Sequence, residues 1–250
     1  MTTTSIATSD ETSITIRGND LVADLIGGIG FTEMIYLLFT GRRPDKSDMR
    51  VLDACLVTLA EHGFTPGAIA TRLIADAVPD QMQSAIAGGL LTVGGIYAGS
   101  MEGCAQMLVE AVAADDRDAH ISAVVADHVA RKAPIHGFGH ARHKPDDPRS
   151  PALLKVAEEA GRSGKYVAAL LAFGEEFDRQ RGRHMTINAT GAIAALLLEI
   201  GIEADIARGV ALVSRTAGLV GHVLEEKQTR SARAIAEATR KAVPYAPAEN

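Results

Sequence analysis

The 250-residue chain has only two cysteines, Cys55 and Cys104, each inside an apolar, helix-like run. They form no CxxC pair and no disulfide framework, so they are expected to be reduced core thiols of a cytoplasmic protein. An excess of positive charge is also missing. Lys and Arg number 25 against 31 Asp and Glu, for a net charge of −6. That balance argues against a nucleic acid or an anionic membrane surface as the main partner, although local arginine clusters can still build anion sites. No long hydrophobic run is present either. The most apolar stretch, "AIAGGLLTVGGIYAG" (85–99), is shorter than the roughly 20 residues of a membrane span and is full of glycine. The N-terminal "MTTTSIATSDETS" has neither a basic n-region nor an apolar h-region, so no signal peptide is expected.

Strand alternation is nearly absent, with "TSITIRG" (12–18) the one candidate for a short strand. What the chain does contain is helical periodicity. "DLVADLIG", "FTEMIYLLFTG", "MRVLDACLVTLAEHG", "PGAIATRLIADAV", "QMQSAIAGGLLTVGGIYAG" and "EGCAQMLVEAVAA" all carry apolar residues at spacings of three and four. "DAHISAVVADHVARKA" and the segments after residue 150 continue the pattern, with Gly and Pro at the breaks. The expectation is roughly a dozen helices with no repeat period and no low-complexity linker. Gly88, Gly89, Gly94, Gly95 and Gly99 fall in one such segment, where glycine costs about 1 kcal/mol relative to alanine. They point to close approach of a helix or a ligand, or else to a helix broken by loops.

The stretch "PIHGFGHARHKPDDPR" (134–149) is the most unusual text in the chain. His136, His140 and His143 at spacings of four and three suggest a metal site on one helix face. Its prolines and glycines break such a helix, however, and Arg142, Lys144 and Arg149 would repel a divalent cation. The cationic company suits a carboxylate or phosphate, and a histidine among such groups can donate a proton or hydrogen bond to the bound anion. The residue types leave this reading level with that of a solvated structural loop.

"GFGHARHKPDDPR" resembles the signature loop of the citrate synthase superfamily, which runs Gly-Phe-Gly-His, Lys, Asp-Pro-Arg. Further segments resemble that family in the same order: "AEHG" (60–63), "ATRL", the Gly-rich "GGLLTVGGIYAGSMEG", "TINATG" and "SRTAGLVGHVLEE". The resemblance covers about residues 18 to 235 and is closest to the compact citryl-CoA lyase-like branch, with likeness also to the lyase module of ATP-citrate lyase. It implies an all-α, two-lobed helical fold with a short N-terminal strand. A large lobe of residues 1–99 plus 201–250 and a small lobe of residues 100–200 carrying the His140 loop are expected. It also implies a homodimer that binds a CoA thioester and a 2-oxo or hydroxy acid and needs no metal.

The family's roles carry over residue by residue. His140 matches the histidine on the oxo or hydroxyl oxygen, where an alkoxide develops. His62 matches a histidine that holds the same substrate. Taken alone it reads as a helix C-terminal histidine. Arg149 and Arg215 match carboxylate-clamping arginines, with Arg230 or Arg233 as a third, and Asn188 belongs to the substrate-binding set. Arg215 within an apolar run needs a partner in any case. CoA would be met by backbone groups at Gly137 and Gly139 and by Lys144. Two positions depart from the family. Tyr97 stands where a histidine stabilises the enolate, and its hydroxyl can still donate there. Thr190 stands where an aspartate moves the proton of the acetyl carbon, and threonine is no comparable base.

The lost aspartate argues against the standard Claisen condensation. Cleavage of a citryl-CoA-type thioester remains open, with the enolate reprotonated by water and His140 as base for the hydroxyl proton. Glu102 or His143 are candidate substitute acids or bases. The resemblance thus favours a carbon–carbon lyase. The alternatives are a condensing acyltransferase of citrate or 2-methylcitrate synthase type, or a non-catalytic CoA- or carboxylate-binding homologue. Ala98, Ser100, Ala189 and Gly191 hint at room for a larger substrate.

Overall fold

Asp10 turns the chain near its start, accepting hydrogen bonds from the N–H groups of Thr12 and Ser13, both at 2.8 Å. This closes a hairpin between β1 (Ala7–Ser9) and β2 (Ile14–Ile16), and β3 (Asn19–Asp20) adds to its other edge. The pairing is antiparallel, with Thr15 opposite Thr8 on one side and Asp20 on the other. The expected strand is therefore the middle of a small sheet. β1, "ATS", is exposed along its length and has no alternation to betray it. The computed structural model describes residues 2–94 and 100–247.

Asp20 accepts from the N–H groups of Val22 and Ala23 and opens a single π-helical turn, Leu21–Leu25, where "DLVADLIG" had read as a helix. The helices that follow are α1 (Phe31–Thr40), α2 (Lys46–Ala60), α3 (Pro66–Ala77), α4 (Met82–Leu90), α5 (Ser100–Ala113) and α6 (Arg117–Arg131). After the histidine loop come α7 (Arg149–Glu159), α8 (Lys165–Arg181), α9 (Ala189–Glu199), α10 (Ala207–Thr229) and α11 (Ser231–Ala242). Thr65 caps α3 with Pro66 in its first turn, and Asp116 caps α6. Among the described residues no helix is long and apolar enough to cross a membrane. The chain is all-α apart from the hairpin sheet.

Two compact units form, Met1–Cys55 with Ser100–Arg208 and Leu56–Gly99 with Gly209–Asn250. Residues 1–55 thus belong to the same body as residues 100–208. Polar ties explain that allegiance. The Tyr36 hydroxyl donates to the carbonyl of Ile200 at 2.6 Å, and Arg162 Nε donates to Asp48 at 2.8 Å. Tyr36 is fully buried, and burial together with Asp48 pushes its hydroxyl up to about 12.

The first unit is built around α9. Its segment "ATGAIAALLLE" is apolar on every side, and Ala192 to Leu197 are buried without exception. A helix of that kind belongs in the middle of a helical body, and α5, α7 and α8 pack around it. Cys55 and Cys104 are both fully buried, which pushes their thiols up to about 12.

In the second unit α3 lies against α4, and both readings of the glycine-rich segment apply to different parts of it. A Cβ on Gly89 would come within 2.1 Å of Thr71 Oγ1, and one on Gly88 within 2.2 Å of Ile74 Cδ1, so α3 makes a close approach there. The helix then stops at Leu90, and a Cβ on Gly94 would meet nothing within 4 Å. Gly95 and Gly99 lie outside the described residues, as do Tyr97 and Ala98.

Candidate functional site

The loop between α6 and α7 is pinned to the segment that enters α9. Gly139 N–H donates to Thr186 O at 2.7 Å, and Asn188 N–H donates to Gly137 O at 3.0 Å. Phe138 sits between them opposite Ile187, with its ring buried against Phe173 and Phe177. Gly137 and Gly139 have φ of 84° and 74°, and a Cβ on Gly137 would lie 2.5 Å from Cys104 Sγ and 2.9 Å from Gly191 Cα. The N–H and C=O of Gly139 are both consumed inside the protein, and Gly137 serves the packing of α5 and α9.

His140 follows this anchor. Its Nδ1 accepts from the N–H groups of Arg142 (3.1 Å) and His143 (2.9 Å). A neutral imidazole that accepts at Nδ1 carries its proton on Nε2. Burial, then His143, Arg149 and Arg142 hold its pKa below the ordinary histidine value, against the pull of Asp147. Arg149 Nη2 lies 3.4 Å from His140 Nε2. Two donors thus stand side by side, suited to one oxygen that carries negative charge. In this tautomer the His140 ring offers a donor at Nε2.

Asp147 fixes the arginine. Its side chain has 0 % exposure and accepts from Arg149 Nε (2.9 Å), Arg149 Nη2 (2.8 Å) and the N–H of Ala189 (2.9 Å). Burial pushes the carboxyl up, but the hydrogen bonds from Arg149 and Ala189 outweigh it and bring it down to about 2. Asp147 therefore ties the first residue of α7 to the first residue of α9. Asp147 lies within the Asp-Pro-Arg of the loop motif, where residue type alone does not mark it for this task. The available signal was an acid two residues before a clamp arginine, across a proline.

Asn188 caps α9, its Oδ1 accepting from Gly191 N–H at 3.0 Å while its Nδ2 donates to Gly139 O at 2.8 Å. Thr190 Oγ1 donates to the same Oδ1 at 2.6 Å and lies 3.1 Å from Ser100 Oγ at the start of α5. His140, Arg149, Asn188 and Thr190 are thus gathered around one junction of loop and helix ends, with a pair of hydroxyls at the position where a carboxylate was absent.

The remaining candidates are placed differently. Glu102 pairs with Arg208 at 2.6 Å. The His143 ring lies 4.3 Å from that of His140. His136 packs on α5, where a Cβ on Gly103 would come within 2.5 Å of its ring. Lys144 is exposed on the loop. His62, Arg215 and Arg230 belong to the second unit. His62 is half-buried just beyond α2, Arg215 is half-buried on α10, and Arg230 is exposed between α10 and α11. Arg233 faces Asp76 at 3.7 Å.

Comparison with known proteins gives a consistent picture. The family described as citrate synthase, C-terminal domain, matches residues 40–236. A citrate synthase of Acidithiobacillus ferridurans is 28% identical over 84% of this chain and 54% of its own. A citrate synthase-like protein of Phoma sp. is 29% identical over 72% of this chain and 39% of its own. The chain therefore spans about half the length, or less, of these curated relatives. Among solved structures, citryl-CoA lyase from Hydrogenobacter thermophilus superposes with a TM-score of 0.90 at 29% identity, covering 100% of this chain and 96% of that one. Citrate synthase from Thermotoga maritima superposes at 0.67 with 24% identity over 79% of this chain, a likeness of fold alone.

Proposed function

The chain belongs to the citrate synthase family, and from that premise we propose that it is a carbon–carbon lyase. Its substrate would be a citryl-CoA-type 3-hydroxyacyl thioester, cleaved into acetyl-CoA and a 2-oxo acid. The observation that carries this reading is the pairing of an equipped oxygen-binding end, His140 and Arg149 held by Asp147, with hydroxyls alone at Thr190 and Ser100.

In cleavage, the bond between the carbinol carbon and the acetyl methylene breaks. The hydroxyl gives up its proton to solvent water, its oxygen becomes the carbonyl of the 2-oxo acid, and the thioester leaves as an enolate. His140 Nε2–H and Arg149 stabilise the alkoxide on the way, which is electrostatic stabilisation of developing charge. A thioester enolate is basic enough to take its proton from water. Condensation instead begins by removing a methyl proton from acetyl-CoA, and neither Thr190 nor Ser100 is ionised near neutral pH. His62, Asn188, Arg215 and Arg230 would hold the carboxylates, Lys144 a CoA phosphate, and Tyr97 the enolate oxygen. The coverage of nearly all of both chains by the citryl-CoA lyase likeness supports this reading. The enzyme would act without a metal, as a cytoplasmic homodimer.

The test is to incubate the purified protein with citryl-CoA and follow oxaloacetate and acetyl-CoA. Release of both is expected, with His140→Ala lowering kcat/KM by about 10²–10³-fold. Binding of CoA or citrate without turnover of a panel of 3-hydroxyacyl-CoA substrates would mark a non-catalytic relative instead.

A further inference from the structure

A buried polar chain in the second unit leads from its interior to the loop that bears His62. Arg72 on α3 is 2 % exposed, and its charge is balanced by Glu226, 3 % exposed, at 3.2 Å, with Ser231 at 2.8 Å and the more exposed Glu225 as further partners. Neutralising Arg72 therefore does not require the remaining limb of the chain. In that limb Arg72 Nε donates to His222 Nδ1 at 2.8 Å, which leaves the imidazole proton on Nε2. His222 Nε2 faces Glu61 Oε2 at 3.1 Å. Glu61 Oε1 in turn accepts from the N–H groups of His62 (2.7 Å) and Gly63 (2.6 Å).

Phe64 covers the chain from the loop side, its ring 6.2 Å from that of His222 and 5.1 Å from the Arg72 guanidinium. Gly218 makes room for the loop. A Cβ there would lie 2.0 Å from Ala60 O and 2.7 Å from Glu61 Oε2. Burial works against the charge on Glu61, but the N–H groups of His62 and Gly63 and the adjacent His222 outweigh it and hold the carboxyl below its ordinary value.

We propose that His222 and Glu61 are positioning residues that transmit the fixed placement of Arg72 to the backbone of His62. The kinetic part of this inference rests on the functional reading above, in which His62 holds the substrate. The geometric part does not. The limb passes through a histidine whose Nδ1 accepts from Arg72, which fixes its tautomer, and whose Nε2 lies 3.1 Å from Glu61 Oε2 without the alignment of a full hydrogen bond. Its far end is a carboxylate whose remaining hydrogen bonds go to the backbone at His62 and Gly63. A glutamine at position 222 offers the same acceptor and donor, whereas alanine offers neither.

The experiment measures amide hydrogen exchange at His62 and Gly63 in the full-length protein, together with citryl-CoA kinetics. In His222→Ala these amides are expected to exchange about tenfold faster than in the wild type, the scale of one charge-assisted hydrogen bond, while α9 amides keep their rates. His222→Gln is expected to retain most of the protection. KM should rise by about tenfold in His222→Ala with kcat changed less, and His222→Ala should add nothing further in a His62→Ala background. Glu61→Ala, at a half-exposed position, supplies the same readouts if His222→Ala does not fold. Unchanged exchange at 62 and 63, or KM effects of the two substitutions that multiply, would overturn the proposal. A wild-type protein without citryl-CoA cleavage would defeat the functional reading and leave exchange to decide the relay.

Discussion

In the proposed lyase, Thr190 would favour cleavage over condensation. Its hydroxyl donates to Asn188 Oδ1 and meets Ser100, so it is held in place yet offers no base. Thr190→Asp should put a carboxylate where a methyl proton could be removed. General base catalysis is typically worth 10²–10⁴-fold, and a gain of about 10²-fold is expected in exchange of the acetyl-CoA methyl protons with deuterated water. Proton NMR of acetyl-CoA in the presence of oxaloacetate reads this directly, and no gain would show that position 190 does not face the acetyl carbon. Asp147 illustrates the opposite case. It has no place in the chemistry, yet it fixes Arg149 through two donors and also takes the first N–H of α9. The types and order of His140, Arg149 and Thr190 were legible in the sequence. The tautomer of His140 was not, because it depends on two backbone N–H groups that a folded turn brings to Nδ1.

The element that decides the site is the short contact of the Gly-Phe-Gly segment with the entry to α9. Gly137 is demanded twice there, by its left-handed backbone and by the lack of space beside Cys104 and Gly191. Gly137→Ala is expected to destabilise the protein by about 3 kcal/mol, the sum of left-handed strain and overpacking. Gly182 ends α8 with a φ of 63° and nothing within 4 Å of an added Cβ. Gly182→Ala should therefore cost only about 1 kcal/mol. Urea unfolding of the two variants compares the terms, and equal losses would remove the packing argument. Periodicity located most helices, including α9, whose all-round apolar surface marks a central helix. It did not distinguish the π-helical turn at Leu21–Leu25 from a helix, because the Asp20 cap and a one-residue change of hydrogen-bond spacing leave the apolar pattern alike.

For the protein as a whole, two histidines of the first unit pull stability in opposite directions across the same pH range. His184 joins Asp178 and Asp146, whose hydrogen bonds raise its pKa. Its contribution is full below the unfolded value and is lost as pH rises through the raised folded one. The pKa of His140 is lowered, first by burial, so its contribution is present above the unfolded value and is lost as pH falls through the folded one. Tm measured across pH 5 to 9 should lose part of its alkaline decline in His184→Ala and part of its acidic decline in His140→Ala. The ordinary histidine value near 6.5 sets the centre of that window, and identical profiles for both variants and the wild type would refute the assignment. Composition, periodicity and motif order by themselves determined that the chain is helical and which family it joins, because each is written in residue type and spacing. Only the tertiary structure decided which glycines pack helices, that residues 1–55 join the 100–208 body, which backbone N–H groups meet His140 Nδ1, and that Asp147 meets Arg149 while Glu61 meets the backbone of His62. Those properties depend on atoms far apart in sequence meeting within a hydrogen bond or a van der Waals radius, and spacing along the chain holds no record of such meetings.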